Sequence, residues 1–378
     1  MVIHEYQGKI LLDEVGVPIT RGRVASTPEE AGAIAEEIGK KVAIKAQVLV
    51  GGRGKAGGIK LAEGKADAIE KAKQILGMDI KGLIVGKVLV EEAIEIAKEF
   101  YLGITLDRAR GTHVIMFSTM GGVDIEEVAE THPHAIVKVG VSPQRGLLDH
   151  HIRQVCYAFP MEKQERKDLA VFVRTLFDLY IKKDCTIAEI NPLAITTDGR
   201  MVAADAKVNF DANALFRHPE LEVMAEETET EGDPLELKAK EKGLAYVRLD
   251  GEIGVIGNGA GLVMGTLDEV SRVGGKAANF LDVGGGASAQ LVTSSLELVL
   301  SDPNVKGVLF NIFGGITRGD EVARGIVEGT KVLNLDKPLV IRLSGTNEAE
   351  GRAILKEAGI ETAATMEEAA RKIVALTR

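Results

Sequence analysis

IKAQVLVGGRGKAGGIKLA, residues 44–62, is an apolar run that breaks into five glycines set around Arg53 and Lys55 and then resumes. Lys45 stands just before the break and Lys60 just after it. The pattern predicts two strands joined by a glycine loop. It is not a P-loop, because Ala56 follows Lys55 where a Ser or Thr hydroxyl would be needed to hold Mg²⁺. Two readings remain. The loop folds over an anion such as a triphosphate, with its backbone N–H groups and clustered cations neutralising charge. Alternatively, it is a mobile hairpin with solvated side chains.

Outward from this loop, the first half of the chain alternates strands and helices unevenly. A short helix starts near Glu5 and ends over Leu11–Val15, and GVPITRG leads into a strand. Thr27 as N-cap, Pro28 at the first helical position and Gly39 at the end predict a helix over 27–39. Helices are also predicted over 65–76 and 162–181, and strands over 40–50 and 87–94. A strand pair is predicted at 97–106 and 113–118, with its turn at Ala109-Arg110-Gly111. Antiparallel neighbours of this kind make the first half α+β.

AEINPLAITTDGRMVAADAK, residues 188–207, reads as a hairpin turning at Thr197-Asp198-Gly199. A three-residue loop with Gly in the left-handed position pairs Thr196 with Arg200. Counting back, Asn191 faces Asp205 and Glu189 faces Lys207, all on one face of the sheet. A register slipped by one would divide them between faces. This is either an oxygen-rich site for a hard cation such as Mg²⁺ or the polar outer face of an ordinary hairpin. VEEAIEIAKEFYLG, residues 90–103, places Glu91, Glu92, Glu95 and Glu99 after a strand, either to accept from a ribose hydroxyl or as an exposed acidic edge. His132-Pro133-His134 lacks a third metal partner nearby and reads as a surface loop.

Composition changes at AEETETEGDPLELKAKEKG, residues 225–243, which has the character of a domain boundary. Beyond it, IGVIG, AANFLDV, VKGVLFNIF and PLVIRL alternate with helices, the second of them starting at Ala287. Near-continuous apolar strands in repeated βα units imply a doubly wound parallel sheet with ligands at the strand C-termini. The domains are therefore placed at 1–238, with a smaller lobe at about 20–100, and at 239–378. GVIGNGAGLVMGTLDEV, residues 254–270, is an imperfect dinucleotide fingerprint with Leu262 at the third glycine position and Asp282 ending the next strand. A helix N-terminus receiving a carboxylate or phosphate fits it equally well. MGGVDIEEVA at 120–129 and FGGITRGDEVA at 313–323 share a strand-to-helix pattern.

At 378 residues, 45% hydrophobic and 27% charged, the chain has ample core for two or three soluble domains. A net charge of −10 with 4% aromatics and no Trp argues against nucleic-acid and anionic-membrane partners. Cys156 and Cys185, with no CxxC, point to a reducing compartment. No run approaches the ~20 apolar residues of a membrane span, and the N-terminus reads as folded sequence, so a cytoplasmic protein is expected.

HEYQGK at 4–9, KAQVLVGGRGKAGG, LVEEAIEIAKE, GGVDIEEVA, AEINPL, DANALFRHPE, GNGAGLVMGTLD, NFLDVGGGA and NIFGGITRGDEVA together resemble, in order and over essentially the whole chain, the β subunits of succinyl-CoA synthetases (succinate–CoA ligases). Several of these motifs are shared with malate–CoA ligase and ATP-citrate lyase. The resemblance implies an ATP-grasp region followed by a flavodoxin-like CoA-ligase domain. It implies nucleotide contacts (ATP/ADP or GTP/GDP) by Lys45, Gly52, Arg53, Gly54, Glu91, Ile94 and Glu99. It also implies Mg²⁺ on Asn191 and Asp205, and substrate contacts by Asn258, Gly315, Ile316 and Thr317. The implied reaction interconverts succinyl-CoA, phosphate and a nucleoside diphosphate with succinate, CoA and the triphosphate, as in the citric acid cycle. It runs through a phosphohistidine on an α subunit that also holds the main CoA site, within a heterotetramer. Glu189 matches a glutamate that orients the phosphohistidine near the nucleotide. Two other expectations stand beside this one: a β subunit of a related acid–CoA ligase such as malate–CoA ligase, and a non-catalytic nucleotide- or NAD-binding regulatory protein.

Overall fold

The structure, a computed structural model, describes residues 1–229, 233–286 and 288–378. The chain divides into two compact units, Met1–Glu231 and Gly232–Arg378. The division falls ahead of the expected 238/239 boundary because Pro234–Glu241 is a helix, capped by Asp233, whose Leu235 and Ala239 enter the second unit's core. Positions 230–232 of the expected linker lie outside the described residues.

Besides the short antiparallel pair Asp79–Ile80 and Leu83–Ile84, the described residues of the first unit form two antiparallel sheets. In the smaller, the strands run in the order Gly22–Ala25, Lys87–Glu92, Val42–Gln47, Ile59–Ala62. The helices Pro28–Ile38 and Gly64–Ile75 pack on it through Ala31, Ile34, Ala68 and Ala72. Pro28–Ile38 is bounded as its sequence predicts: Thr27 and Glu30 exchange capping hydrogen bonds, and Gly39 closes the helix at φ 66°.

The larger sheet runs Met201–Ala203, Cys185–Thr196, Ile96–Asp107, Thr112–Ser118, Ile136–Val141, with Lys207–Phe210 also paired to Cys185–Thr196. The helices Asp149–Cys156 and Lys163–Lys182 cover one face. Phe100, Leu102, Ile104, Ala188 and Ile190 point into that core. Strand alternation therefore turns Tyr101, Gly103, Glu189 and Asn191 to the opposite face.

In the second unit the strands are ordered Ala245–Arg248, Asn279–Asp282, Ile253–Gly257, Gly307–Gly314, Leu339–Gly345, Glu361–Ala363. The last five are parallel, and two separate cores lie against alternate residues of the sheet, as near-continuous apolar strands require. Ala245–Arg248 departs from the all-parallel expectation by pairing antiparallel with Asn279–Asp282. Only residues 249–252 join it to the next strand, too few for the crossover a parallel neighbour needs. The helix expected from Ala287 is Ala289–Leu300, capped by Ser288, and position 287 lies outside the described residues.

Candidate functional site

The glycine loop closes on its own carbonyls. Ala56 N donates to Gly52 O (3.1 Å), Gly57 N to Gly54 O (3.0 Å) and Gly58 N to Arg53 O (2.9 Å). Gly52 takes φ 84°, a conformation that glycine adopts without steric cost. The N–H groups of Gly52, Arg53 and Gly54 make no hydrogen bond among the described residues. Gly52 and Gly54 are exposed, so their N–H groups are open to solvent or to an anion.

Lys45, on Val42–Gln47, is buried, and its ammonium contacts Glu5 Oε1 (2.9 Å), Glu91 Oε1 (2.7 Å) and the Ala204 carbonyl (2.7 Å). Arg53 bridges Glu5 Oε2 and Asp205 Oδ2, both at 2.7 Å. Glu91 also receives Lys9 and the Thr20 hydroxyl (2.6 Å). Three cations thus balance three carboxylates. Burial alone would push the Glu5 carboxyl up, but Lys45, Arg53 and Lys9 outweigh it and hold that carboxyl well below the usual range. Burial opposes the charge on Lys45 too, and Glu5, Glu91 and Asp205 override it and raise the lysine above its ordinary value. Burial and the Glu5 charge push the Asp205 carboxyl up, against Arg53, Lys45 and Lys9.

An exposed acidic edge describes only part of 90–103. Glu91 is 2% exposed, because both of its oxygens are drawn into the network, whereas Glu95 and Glu99 are exposed. The Glu99 carboxylate lies where a Cβ on Gly122 would stand, at 2.5 Å. Ile94 is half-buried in the link between Lys87–Glu92 and Ile96–Asp107. Sequence reasoning gave Glu5, Lys9 and Thr20 no site role. A signal existed: Glu5 and Lys9 share a helical face with buried Leu12, so two charges sit on an apolar stripe.

The 188–207 hairpin has the register its turn predicts. Thr196 N bonds Arg200 O, Leu193 pairs with Ala203, Ala204 N bonds Pro192 O, and Glu189 pairs with Lys207. Ile190 and Ala206 enter the same core, which turns Asn191 and Asp205 away from it. Asn191 Oδ1 accepts from Gly122 N (2.8 Å) and its Nδ2 donates to Val123 O (2.9 Å). Besides Arg53, Asp205 accepts from Ala206 N (2.7 Å). Each of these oxygens retains acceptor capacity, so the donor set fits a hard cation that takes its remaining ligands from phosphates. Among the described residues, no cluster of three or more His, Cys, Asp or Glu could hold a metal. Glu189 accepts from the Tyr101 hydroxyl at 3.0 Å. Burial pushes its carboxyl up, against the Lys207 charge and that hydrogen bond.

The second unit gathers the remaining predicted residues at the C-terminal ends of its strands. Asn258 pairs with the backbone of Phe313 through both amide atoms (2.8 Å each), and its Nδ2 also reaches Thr317 Oγ1 (3.2 Å). Thr317, itself buried, accepts from Gly286 N (2.9 Å), while Gly315 O accepts from the Thr346 hydroxyl (2.9 Å). Ile316 between them is 88% exposed. Asp282, read as a possible ribose partner, has a structural role. Its Oδ1 accepts from Gly259 N (2.6 Å) and Gly284 N (2.7 Å), so the carboxylate fastens two turns.

Residues 2–195 match the ATP-grasp domain family and residues 256–376 the CoA-ligase family. A solved ATP citrate lyase from Methanothrix soehngenii superposes with a TM-score of 0.73 over 99% of both chains at 19% identity, a likeness of fold. The chain is thus an ATP-grasp protein continued by a CoA-ligase domain. Curated relatives narrow this. The chain is 55% identical to the GDP-forming succinate–CoA ligase subunit β of Thermus thermophilus, over 100% of this chain and 99% of that one. It is 51% identical to the ADP-forming subunit β of Roseiflexus sp., over 99% and 98%. It belongs to the family of succinate–CoA ligase β subunits.

Proposed function

We propose that this chain is the nucleotide-handling β subunit of a succinate–CoA ligase, working in the cytoplasm with an α-type partner that carries the phosphohistidine and the main CoA site. The observation that carries the reading is the buried network in which Lys45 and, from the glycine loop, Arg53 meet Glu5, Glu91 and Asp205, with the loop N–H groups of Gly52, Arg53 and Gly54 unpaired among the described residues. In the nucleotide half-reaction the P–N bond of the partner's phosphoimidazole breaks and a P–O bond to a nucleoside diphosphate forms. Little of that chemistry needs a covalent role for the protein, so positioning and charge neutralisation dominate. Lys45, Arg53 and the loop amides hold the phosphates. Glu91, Ile94 and Glu99 line the nucleotide side. Glu189 receives the imidazole N–H. Asn191 and Asp205 would hold Mg²⁺, which supplies charge neutralisation between phosphate oxygens. Asn258 and the Gly315-Ile316-Thr317 turn contact the acyl substrate.

The test is co-expression with the α-type partner, followed by ligase assays with succinate or malate and CoA against ATP and GTP. Formation of succinyl-CoA that depends on succinate, CoA and the triphosphate, with release of nucleoside diphosphate and phosphate, is expected. Preference for malate would reassign the acid, and activity without a partner would overturn the division of labour. The isolated chain is expected to bind Mg·nucleotide and to take no phosphoryl label on histidine.

Asp205→Ala should weaken Mg²⁺-dependent turnover on the order of a hundredfold while costing only about 1–2 kcal/mol of stability. Arg53 keeps Glu5 as a partner, and the Asp205 side chain is 24% exposed. Titration of Mg²⁺ against rate, with denaturant unfolding alongside, checks both. Unchanged kinetics at limiting Mg²⁺ would remove Asp205 from the metal site.

A further inference from the structure

We propose that Tyr101 is a positioning residue for Glu189, and that Gly103 is the gap that lets it act. Tyr101 and Gly103 lie two apart on Ile96–Asp107, on the sheet face away from the main core. Gly103 is the register partner of Glu189. The tyrosine ring lies across that glycine: a Cβ at 103 would stand 2.3 Å from the Tyr101 hydroxyl and 2.8 Å from its Cζ. The missing side chain thus leaves a slot over the neighbouring strand, and the hydroxyl uses it to reach Glu189 Oε2 at 3.0 Å. Ile125 and Val128 pack against the ring, which is 1% exposed, so the donor is held in place. Lys207, the partner of Glu189 on its other side, makes no ion pair with it among the described residues. Tyr101 therefore supplies the protein hydrogen bond that Glu189 receives there.

A glutamate on a strand has three side-chain torsions to settle. A fixed donor on Oε2 restricts them and leaves Oε1 unpaired among the described residues, so the ordering is done before the imidazole arrives. This rests on the reading of Glu189 given under Proposed function, and the experiment separates the two.

In the complex with the α-type partner, two half-reactions are followed with labelled phosphate. One is transfer from the partner's phosphohistidine to nucleoside diphosphate, and the other is formation of that phosphohistidine from succinyl-CoA and phosphate. Tyr101→Phe keeps the ring and removes the hydroxyl. It should lower kcat of the first half-reaction about tenfold, the scale of one hydrogen bond to a charged group, with KM for the nucleotide and the second half-reaction unchanged. Gly103→Ala, whose methyl would collide with the hydroxyl, should give the same split. In a Glu189→Gln background, Tyr101→Phe should slow the enzyme no further. Wild-type rates in Tyr101→Phe and Gly103→Ala, with Glu189→Gln impaired, would overturn the inference and leave Glu189 standing. Equal loss in both half-reactions would also overturn it, showing Tyr101 to be structural. A fully active Glu189→Gln would remove the role of Glu189 and this inference with it.

Discussion

Glu189→Gln is expected to cut phosphoryl exchange between nucleotide and the partner's histidine by on the order of a hundredfold or more, while phosphorylation of that histidine from succinyl-CoA and phosphate survives. The expectation comes from the strand. Glu189 stands two residues from Asn191 on one sheet face, roughly 7 Å along the backbone. It can therefore hold an imidazole N–H without displacing oxygen ligands from a cation on Asn191 and Asp205. A carboxylate stabilises an imidazole that donates a proton, whereas a glutamine is neutral and can present its NH₂ instead. The substitution is near-isosteric, and the Tyr101 hydroxyl still finds an acceptor in the glutamine carbonyl, so the fold should be little affected. Labelled phosphate supplied from each donor separately gives the answer. Equal loss from both donors would mean that Glu189 supports folding or assembly and has no role specific to the nucleotide side.

Lys45→Met carries the second large effect, and it should appear in stability as well as binding. The variant leaves Glu5, Glu91 and Asp205 facing only Lys9 and Arg53, a net negative charge in a buried site. Removing one member of a buried ion network costs on the order of 3 kcal/mol. Nucleotide affinity should fall about a hundredfold in addition, from loss of a charge-assisted phosphate contact. The two effects separate in Lys45→Met/Glu91→Gln. Charge balance returns, so much of the unfolding midpoint should be recovered, while nucleotide affinity stays low. Denaturant unfolding and calorimetric titration with Mg·nucleotide read the pair. If the double variant regained affinity, Lys45 would be a framework residue and no phosphate ligand.

What the chain determined by itself was whatever a few neighbouring residues decide. Thr27, Pro28, Glu30 and Gly39 bound a helix because capping acts within one turn at either end. Gly199, at φ 86°, sets a hairpin register whose pairing holds as far as Glu189 and Lys207, although the core-facing side chains change parity between Ile190 and Leu193 and between Ala203 and Ala206. The alternation of apolar strands with helices after 250 marked a doubly wound domain. The motifs named the family because they occur in order along nearly the whole chain.

The tertiary structure alone decided which distant groups meet. Glu91 looked like part of an acidic edge and proved buried, because Lys9, Thr20 and Lys45 converge on it from other segments. Asp282 joins two turns, because the Gly259 and Gly284 amides from separate segments both donate to its Oδ1. Ala245–Arg248 became an antiparallel edge because its link to the next strand is too short for a crossover, and no residue within the strand states its partner. Tyr101 reaches Glu189 only across the slot at Gly103, a relation between two strands that neither contains. Propensity, capping and alternation act over a few residues and leave their mark in the local pattern. Charge pairing and close packing join residues that can be nearly two hundred positions apart, as Lys9 and Ala204 are, and exist only once the chain has folded.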